Sequence, residues 1–205
     1  MTPPLSGLSW AVRVLIACEF SGVVRDAFRK RGHDAVSCDL EPSLTPGPHI
    51  QADVLDHIND GWDMMLAFPP CTFLTRAGSR YWHDPAWRAG QLAAGAFCLA
   101  LWAAPIRRIA IENPPGRLPE FLGPFSQTIQ PWHFGHPYTK LTCLWLEGLP
   151  PLMDSYHHRS RLSWTEANRP RSKQRSRRRS LTFPGIAEAM AAQWGPLTPA
   201  TTGLQ

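Results

Sequence analysis

The feature of this sequence that most constrains its fold is the alternation of short apolar runs, rich in β-branched residues, with segments of helical periodicity. The run "AVRVLIACEF" ends at Ser21-Gly22, and in the following "VVRDAFRKRG" the apolar residues recur at helical spacing until Gly32. This order predicts a strand, a glycine turn and a helix. Similar patterns predict strands in "DAVSCDL", "WDMMLAF", "IRRIAIEN" and "KLTCLWLEG", a short extended piece ending at Asp53, and helices in "PAWRAGQLAAGAFCLALWAA" and "GIAEAMAAQWG".

Strands that alternate with helices form a mostly parallel sheet with helices on both faces. We therefore predict an α/β fold, a doubly wound Rossmann-like sheet in a single domain, over residues 11–150 and 181–197. The remainder is predicted to be an N-terminal tail (1–10), a basic and partly disordered insertion (151–180) and a C-terminal tail (198–205).

The composition argues against several classes of protein. With 43% apolar and 18% charged residues the chain is typical of globular proteins, and no apolar run approaches the roughly 18 residues of a membrane span. Residues 1–10 lack the pattern of a signal peptide, so we expect a cytoplasmic protein with no membrane partner. The five cysteines are widely spaced, which favours free thiols over a disulfide framework or a zinc site, and we predict no bound metal.

The net charge of +5 conceals one basic segment. Residues 159–179 hold nine lysines and arginines and one acid, a charge of +8, while the remaining 12 cations and 15 acids give −3. Such a segment suits the phosphates of a nucleic acid, or else it is a solvated run of charge. The residues predicted to bind nucleic acid are Arg169, Arg171, Lys173, Arg175, Arg177, Arg178 and Arg179.

Polar residues follow the predicted strands at their carboxyl ends, where sheets of this class bind ligands. Gly22 follows the first strand, Asp39 the second and Asp53 the next extended piece. A glycine turn and two acids in this order suit a nucleoside, with one acid on the ribose hydroxyls and the other on the adenine amine. Because "EFSG" lacks a glycine-rich phosphate loop, S-adenosylmethionine fits better than NAD. Taken singly, each acid could instead be a helix cap or a solvated loop end.

Two further segments make the pattern more specific. "LAFPPCTFL" places Cys71 after two prolines at one strand end, and "IAIENP" places Glu112-Asn113 at the end of the next strand. They resemble the catalytic Pro-Cys and Glu-Asn segments of the cytosine-C5 DNA methyltransferase family, and "FGHPYTKLTCLWL" and "FPGIAEAMAAQWG" are similar to later segments of that family, in the same order. The resemblance spans roughly residues 12–195. It implies S-adenosylmethionine as cofactor and DNA as partner, in a small, phage-like form of the family.

The chemistry implied by the resemblance explains why these residues occur together. A thiolate at Cys71, rather than a buried structural thiol, would add to carbon 6 of a pyrimidine and make carbon 5 nucleophilic. Glu112 would donate to ring nitrogen N3, Asn113 would fix the loop, and Lys140 would replace an arginine near the base or its phosphate. The segments "ACEFSG", "CDL", "ADV" and the start of the Cys71 loop imply the cofactor-binding residues Glu19, Phe20, Ser21, Gly22, Asp39, Leu40, Asp53, Val54 and Pro69.

The chain also departs from the family pattern. Tyr138, Lys140 and Thr142 stand where the family has Gln and two Arg, and Pro184-Gly185 stands where it has Gly-Asn. Only about forty residues follow the last predicted strand before the final helix, too few for a target-recognition domain. Three functions therefore stay open: cytosine methylation of DNA, C5 methylation or hydroxymethylation of DNA or a pyrimidine mononucleotide with 5,10-methylenetetrahydrofolate as donor, and nucleic-acid binding without catalysis.

Overall fold

A computed structural model of the chain describes residues 11–156, 162–164 and 180–196. These residues contain one seven-stranded sheet. Its strands, in chain order, are β1 (Arg13–Ala17), β2 (Asp34–Asp39), β3 (His49–Gln51), β4 (Met64–Ala67), β5 (Ile109–Asn113), β6 (Gln127–Ile129) and β7 (Thr142–Glu147).

The strands lie in the order β3-β2-β1-β4-β5-β7-β6. The pairs from β3 to β5 are all parallel, whereas β7 runs antiparallel to both β5 and β6. The sheet is therefore mixed, with its parallel part at the centre and on one side. The predicted α/β class, with a Rossmann-like sheet, is confirmed.

Four α-helices accompany the sheet in the described residues: α1 (Val23–Lys30), α2 (Pro85–Trp102), α3 (Pro119–Leu122) and α4 (Pro184–Trp194). Helix α1 begins after Gly22, whose φ of 78° is in the left-handed region that favours glycine. Helix α2 begins with a cap in which the Asp84 carboxylate accepts a hydrogen bond from the backbone N–H of Ala86, at 2.8 Å. Helix α4 ends directly before Gly195, as the sequence predicts.

The sheet separates two hydrophobic cores. Alternate residues of a strand point to opposite faces, so Val14 and Ile16 of β1 pack with α1 and α4, whereas Leu15 and Ala17 pack with α2. Both sets of side chains are fully buried. A parallel strand covered on both faces carries a continuous apolar run, which is the pattern seen in "VLIA".

Two parts of the fold differ from a regular alternation of strand and helix. Strand β6 is three residues long and has no apolar alternation, so the sequence does not predict it. The connection from β2 to β3 contains no helix but a loop, residues 41–48, which we call the β2–β3 loop. The first turn and this loop are hydrogen bonded, because the backbone N–H of Leu44 donates to the carbonyl of Phe20, at 2.8 Å.

The predicted insertion at 151–180 lies mostly outside the described residues, and so does its basic run. Of its described part, the backbone N–H of Leu152 donates to the side chain of Gln127, and that of Met153 donates to the side chain of Gln193. The predicted division into a domain, an insertion and two tails stays a prediction. None of the helices in the described part of the chain has both the length and the apolar character needed to cross a membrane.

Candidate active site

The carboxyl ends of the three central strands meet in one row. Strand β4 lies between β1 and β5 and is parallel to both, and its Ala67 pairs with Ala17 of β1 and with Ile111 of β5. Two residues further along each chain segment come Glu19, Pro69 and Asn113. All three residues are buried. The segments predicted for the cofactor and for catalysis therefore lie side by side at one edge of the sheet.

Asn113 fixes the turn that carries Cys71. Its side-chain amide N–H donates to the carbonyl of Pro69, at 3.1 Å, across 44 residues of sequence. The carbonyl of Cys71 accepts from the backbone N–H groups of Leu74 and Thr75, at 3.0 and 2.9 Å, so the residue opens a tight turn. Cys71 itself is partly exposed. The thiol thus lies at a strand end, outside both cores, as a nucleophile requires.

The loops that follow β4 and β5 are joined beyond this point. The backbone N–H of Arg76 donates to the carbonyl of Pro115, at 3.1 Å, and that of Arg117 donates to the carbonyl of Leu74, at 2.8 Å. A Cβ at Gly116 would lie 1.8 Å from the Leu74 carbonyl oxygen, so only glycine permits this approach. These contacts hold the Cys71 turn in a fixed position relative to the Glu112 strand.

Glu112 lies in a pocket on the α4 side of the sheet. The pocket is lined by Phe68, Glu112, Ile129, Lys140, Thr142, Ser180, Thr182, Phe183, Ile186 and Met190. Burial raises the pKa of the Glu112 carboxyl, while the Lys140 ammonium and a hydrogen bond with the Thr142 side chain oppose that change. The structure thus brings Glu112 and Lys140 together, and the carboxyl keeps its proton to higher pH than an exposed glutamate.

Glu19 is a buried carboxylate at the end of β1, 5% exposed. One oxygen, Oε1, accepts from the Ser21 hydroxyl and from the backbone N–H of Val23, the latter at 3.0 Å. The other, Oε2, is buried and has no hydrogen-bond partner among the described residues. Burial raises the pKa of Glu19, and the Ser21 hydrogen bond and the Arg25 charge oppose it.

The two aspartates lie at the ends of the neighbouring segments. Asp39 is half-buried at the end of β2 and accepts from the backbone N–H of Glu41, at 2.9 Å. Burial raises its pKa, with backbone hydrogen bonds opposing. Asp53 is exposed and caps a short 3-10 helix by accepting from the backbone N–H of Leu55, at 3.0 Å. The cap interpretation of Asp53 therefore applies, and the residue is exposed.

The remaining predicted cofactor residues differ in exposure. Leu40 is 73% exposed, Phe20 is half-buried, and the side chain of Val54 is 4% exposed within the α2-side core. Only the backbone of Val54 is therefore available to a ligand. A Cβ at Gly22 would lie 2.1 Å from the Thr45 hydroxyl oxygen, so the β2–β3 loop closely covers the first turn.

Arg25 is the residue that sequence reasoning missed. Its side chain is fully buried, and its guanidinium donates to the hydroxyls of Ser37, Ser43 and Thr45 and to the carbonyls of Thr45 and Pro46, at 2.7 to 3.3 Å. It also forms an ion pair with Asp26, at 2.8 Å. The only signal in the sequence is an arginine among the apolar residues of α1 with a Ser- and Thr-containing loop further on. Arg25 thereby anchors the β2–β3 loop over the first turn.

Two further observations complete the site. A cavity of about 480 Å³ lies between α1 and α4, but none of the predicted site residues lines it. The seven residues predicted to bind nucleic acid, Arg169 to Arg179, lie outside the described residues.

The fold and the row of strand ends define a class of protein: a Rossmann-like α/β domain with a cysteine and a carboxyl residue at adjacent strand ends. No protein-family model and no curated protein matches the sequence. Among solved structures, the chain is similar to the S. pombe Dnmt2 methyltransferase, with 16% identity, a TM-score of 0.45, and 74% of this chain and 52% of that one covered.

Two other solved structures show a comparable likeness. A mutant of Spodoptera frugiperda DNMT2 has 16% identity and a TM-score of 0.42, with 79% of this chain and 60% of that one covered. The Entamoeba histolytica methyltransferase EhMeth has 14% identity and a TM-score of 0.42, with 73% and 57% covered. The matched part thus spans between half and three-fifths of the length of these three chains.

Proposed function

We propose that this protein is a pyrimidine C5-modifying enzyme that methylates cytosine in DNA, using S-adenosylmethionine as methyl donor and Cys71 as nucleophile. The observation that carries the proposal is the Asn113–Pro69 hydrogen bond, which holds the Cys71 turn beside the strand of Glu112. A thiol and a carboxyl whose pKa is raised, at adjacent strand ends, are the two groups that addition to a cytosine ring requires.

Cys71 acts first. Its thiolate forms a bond to carbon 6 of the cytosine, and the electron pair of the C5–C6 double bond moves toward carbon 5 and N3 of the ring. Carbon 5 would then form a bond to the donor's methyl group as the bond from that methyl to the sulfonium sulfur breaks and leaves a neutral thioether. A base removes the carbon 5 proton, the double bond re-forms, the bond from the Cys71 sulfur to carbon 6 breaks, and N3 returns its proton to Glu112. Cys71 leaves as the thiolate with which it began, so the residue is unchanged after each turnover.

Glu112 stabilises the charge that develops on the ring. Glu112, whose pKa is raised, donates its proton to N3, and its second oxygen accepts a hydrogen bond from the exocyclic amine. Uracil has an N–H at N3 and a carbonyl in place of the amine, so it cannot make this pair of contacts. Lys140 is the cation in the same pocket and offsets the carboxylate that results from proton donation. A base that makes both contacts with Glu112 is therefore cytosine and not uracil.

The end of β1 has a group that fits the cofactor. The unpartnered Oε2 of buried Glu19 is an acceptor suited to the α-ammonium of S-adenosylmethionine, and Asp39 and Asp53 would accept from its ribose and adenine. When bound, the cofactor supplies an electrophilic methyl group. Glu19 orients that end of the cofactor, and the β2–β3 loop, held by Arg25, limits the space beside it.

Covalent trapping tests the proposal. A fluorine at carbon 5 cannot be removed as the proton is, so a 5-fluorocytosine DNA strand should stall as an adduct that survives denaturing electrophoresis and needs both S-adenosylmethionine and Cys71. We expect Cys71→Ser to abolish the adduct and turnover while cofactor affinity, measured by calorimetry, is kept. Cys98→Ala is the matched control, because burial raises the pKa of Cys98 to about 12 and its thiol lies in the core.

The alternatives give different results in the same assay. An adduct that needs 5,10-methylenetetrahydrofolate, or turnover of free dCMP but not of DNA, would replace the proposed donor or substrate. A folded protein that binds DNA but forms no adduct with either donor would be a binding protein without catalysis. Cys71→Ser retaining wild-type turnover would make the thiol structural.

A further inference from the structure

The segment after Cys71 carries a feature that the proposed function does not use. Residues 73–87 contain four aromatic side chains, which we call the aromatic platform: Phe73, Tyr81, Trp82 and Trp87. The ring centroid of Trp87 lies 4.9 Å from that of Phe73 and 4.9 Å from that of Tyr81. Tyr81 is 40% exposed and Trp82 is partly exposed, so the outer rings of the platform face solvent.

The segment that carries the platform packs closely on α2. A Cβ at Gly78 would lie 2.7 Å from the Trp87 ring, and one at Gly90 would lie 2.6 Å from the Phe73 ring. The short 3-10 helix Arg76–Tyr81 therefore packs on α2 with no side chain between them at these points. The turn that opens at Cys71 leads directly into this segment, so the platform belongs to the same loop as the thiol.

Four arginines and two acids lie at the platform, and one of the acids, Asp84, is exposed and caps α2. The guanidinium of Arg80 lies 4.6 Å from the centroid of the Tyr81 ring, and that of Arg117 lies 4.4 Å from the Trp82 ring. Glu120 forms ion pairs with Arg117 and Arg88. Arg76 and Arg80 are exposed, and neither forms an ion pair with any residue in the described part of the chain.

Unused hydrogen-bond donors lie at the same place. The indole Nε1 of Trp82 and the Nε of Arg117 are buried, and neither has an acceptor among residues 11–156, 162–164 and 180–196. A buried donor without an acceptor is costly. The surface thus combines flat rings with positive charge, and two unpaired donors are buried next to it.

We propose that the aromatic platform, with Arg76 and Arg80, binds single-stranded nucleic acid next to Cys71. The faces of unpaired bases are open and stack on aromatic rings and guanidinium planes, and phosphates supply both negative charge and acceptors. The bases of a duplex stack on each other and offer no open face to Tyr81. A single strand also presents its cytosine already unpaired, which removes the cost of extruding the base.

This inference rests on the proposed function, because it names the form of the polymer that the Cys71 site uses. Its test is equilibrium binding of fluorescein-labelled, cytosine-rich 12-mers to the full chain, by anisotropy, at several salt concentrations. The probes are a DNA strand, an RNA strand of the same sequence and the DNA duplex. We expect a single strand to bind more tightly than the duplex, and the tighter of the two single strands identifies the sugar that is preferred.

Variants assign the binding to the platform. Tyr81→Ala should weaken single-strand binding about 5- to 150-fold, the range that removal of one base–aromatic stack produces. Arg80→Ala should lower the slope of log affinity against log salt by about 0.7, the value for one phosphate bound on a single strand. The matched controls, Phe125→Ala and Arg31→Ala, remove an exposed ring and an exposed cation elsewhere, and should leave binding unchanged.

Tighter binding of the duplex, or equal effects of Tyr81→Ala and Phe125→Ala, would overturn the inference. Tyr81→Leu keeps apolar contact with Trp87 and serves if the alanine variant does not fold. Adduct formation at saturating 5-fluorocytosine strand separates the two proposals. If the wild type forms the adduct and Tyr81→Ala binds the single strand as tightly as the wild type does, only the platform proposal is overturned. If Tyr81→Ala binds more weakly but the wild type forms no adduct, the platform is supported and the proposed function is overturned.

Discussion

At the scale of single residues, the candidate site depends on two carboxyl groups that the fold shields from water in different surroundings. Glu112 has a cation, Lys140, in its pocket, whereas Glu19 has a hydroxyl and a backbone N–H on one oxygen and nothing on the other among the described residues. Burial raises the pKa of both. A carboxyl with a raised pKa can serve as an acid, and a buried, unpaired acceptor can serve a ligand.

The protonation of Glu112 predicts a stability that depends on pH. Because its folded-state pKa is raised, its contribution is fully present below its ordinary value of 4.5 and is lost as pH rises through the raised pKa. We expect Glu112→Gln, which resembles the protonated acid, to lose less stability than the wild type as pH rises from 4.5 to neutral, measured as Tm. Identical Tm profiles would show that this carboxyl is not desolvated.

The same substitution should impair catalysis. An amide can donate a hydrogen bond to N3 but cannot transfer a proton as charge develops there, so we expect turnover of Glu112→Gln to fall by about 10²- to 10⁴-fold. The wild-type rate should also decrease at high pH as Glu112 loses its proton, and this decrease should be absent in the variant. The pH dependence of kcat/KM measures both effects, and turnover at the wild-type rate would remove Glu112 from the mechanism.

Glu19→Gln separates ligand binding from stability. Because burial disfavours ionisation of Glu19, an amide in its place should raise the Tm of the free protein as pH rises, and removing one charged hydrogen bond to the cofactor ammonium should weaken S-adenosylmethionine binding by about 10- to 100-fold. Calorimetry measures the affinity and thermal unfolding the Tm. Glu147→Gln, at an exposed position at the end of β7, should change neither quantity. Unchanged cofactor affinity in Glu19→Gln would contradict the assignment of Oε2.

At the scale of elements, the β2–β3 loop shows how one side chain replaces a helix. Regular folds of this class cover the sheet with a helix after each strand. Here residues 41–48 form a loop whose carbonyls and hydroxyls accept from the buried Arg25 of α1. A Cβ at Gly47 would lie 2.7 Å from the guanidinium carbon, so the loop passes close over this group.

We expect Arg25→Met to loosen this loop without unfolding the sheet. Met fills much of the same volume but donates none of the hydrogen bonds of Arg25, so stability should fall by more than the about 1.5 to 3 kcal/mol of one charged hydrogen bond. Amide hydrogen exchange in residues 41–48 should accelerate, and cofactor binding should weaken. Arg31→Met, which alters an exposed arginine just after α1, is the control. Slow exchange in the loop of Arg25→Met would show that other contacts hold it.

At the scale of the whole molecule, charge is divided between an acidic body and a basic segment. The proposed platform and the basic segment would then contact the same polymer, the first through stacking and the second through phosphates. The two contributions differ in their response to salt, because stacking is less sensitive to ionic strength than ion pairs with phosphates are.

Neutralising Arg175, Arg177, Arg178 and Arg179 together, by substitution with glutamine, tests the second contribution. We expect weaker binding of DNA and a salt slope that decreases by about 0.7 for each phosphate no longer bound on a single strand, or about 0.9 on a duplex. Anisotropy at salt concentrations from about 50 to about 200 mM measures both. An unchanged slope would make the segment a solvated run, and retained turnover of dCMP alone would favour a mononucleotide substrate.

The sequence by itself determined the order of the elements and the positions of Cys71, Glu112 and Asp39 at strand ends. Periodicity and glycine turns are local properties, so they can be recognised without knowing which strands are neighbours. The antiparallel place of β7, the short strand β6 and the Asn113–Pro69 hydrogen bond were decided only by the tertiary structure.

The physical reason is that a hydrogen-bond partner is chosen by sheet register and burial, and neither is a property of nearby residues. Arg25 resembles an ordinary helix arginine until the fold places Ser37 and Thr45 around it, 12 and 20 positions away. Trp87 and Tyr81 resemble separate packing residues until the fold brings their rings together, with Gly78 against Trp87. The sequence therefore determined which chemical groups are present at the site, and tertiary packing decided which of them are buried, paired or left open to a ligand.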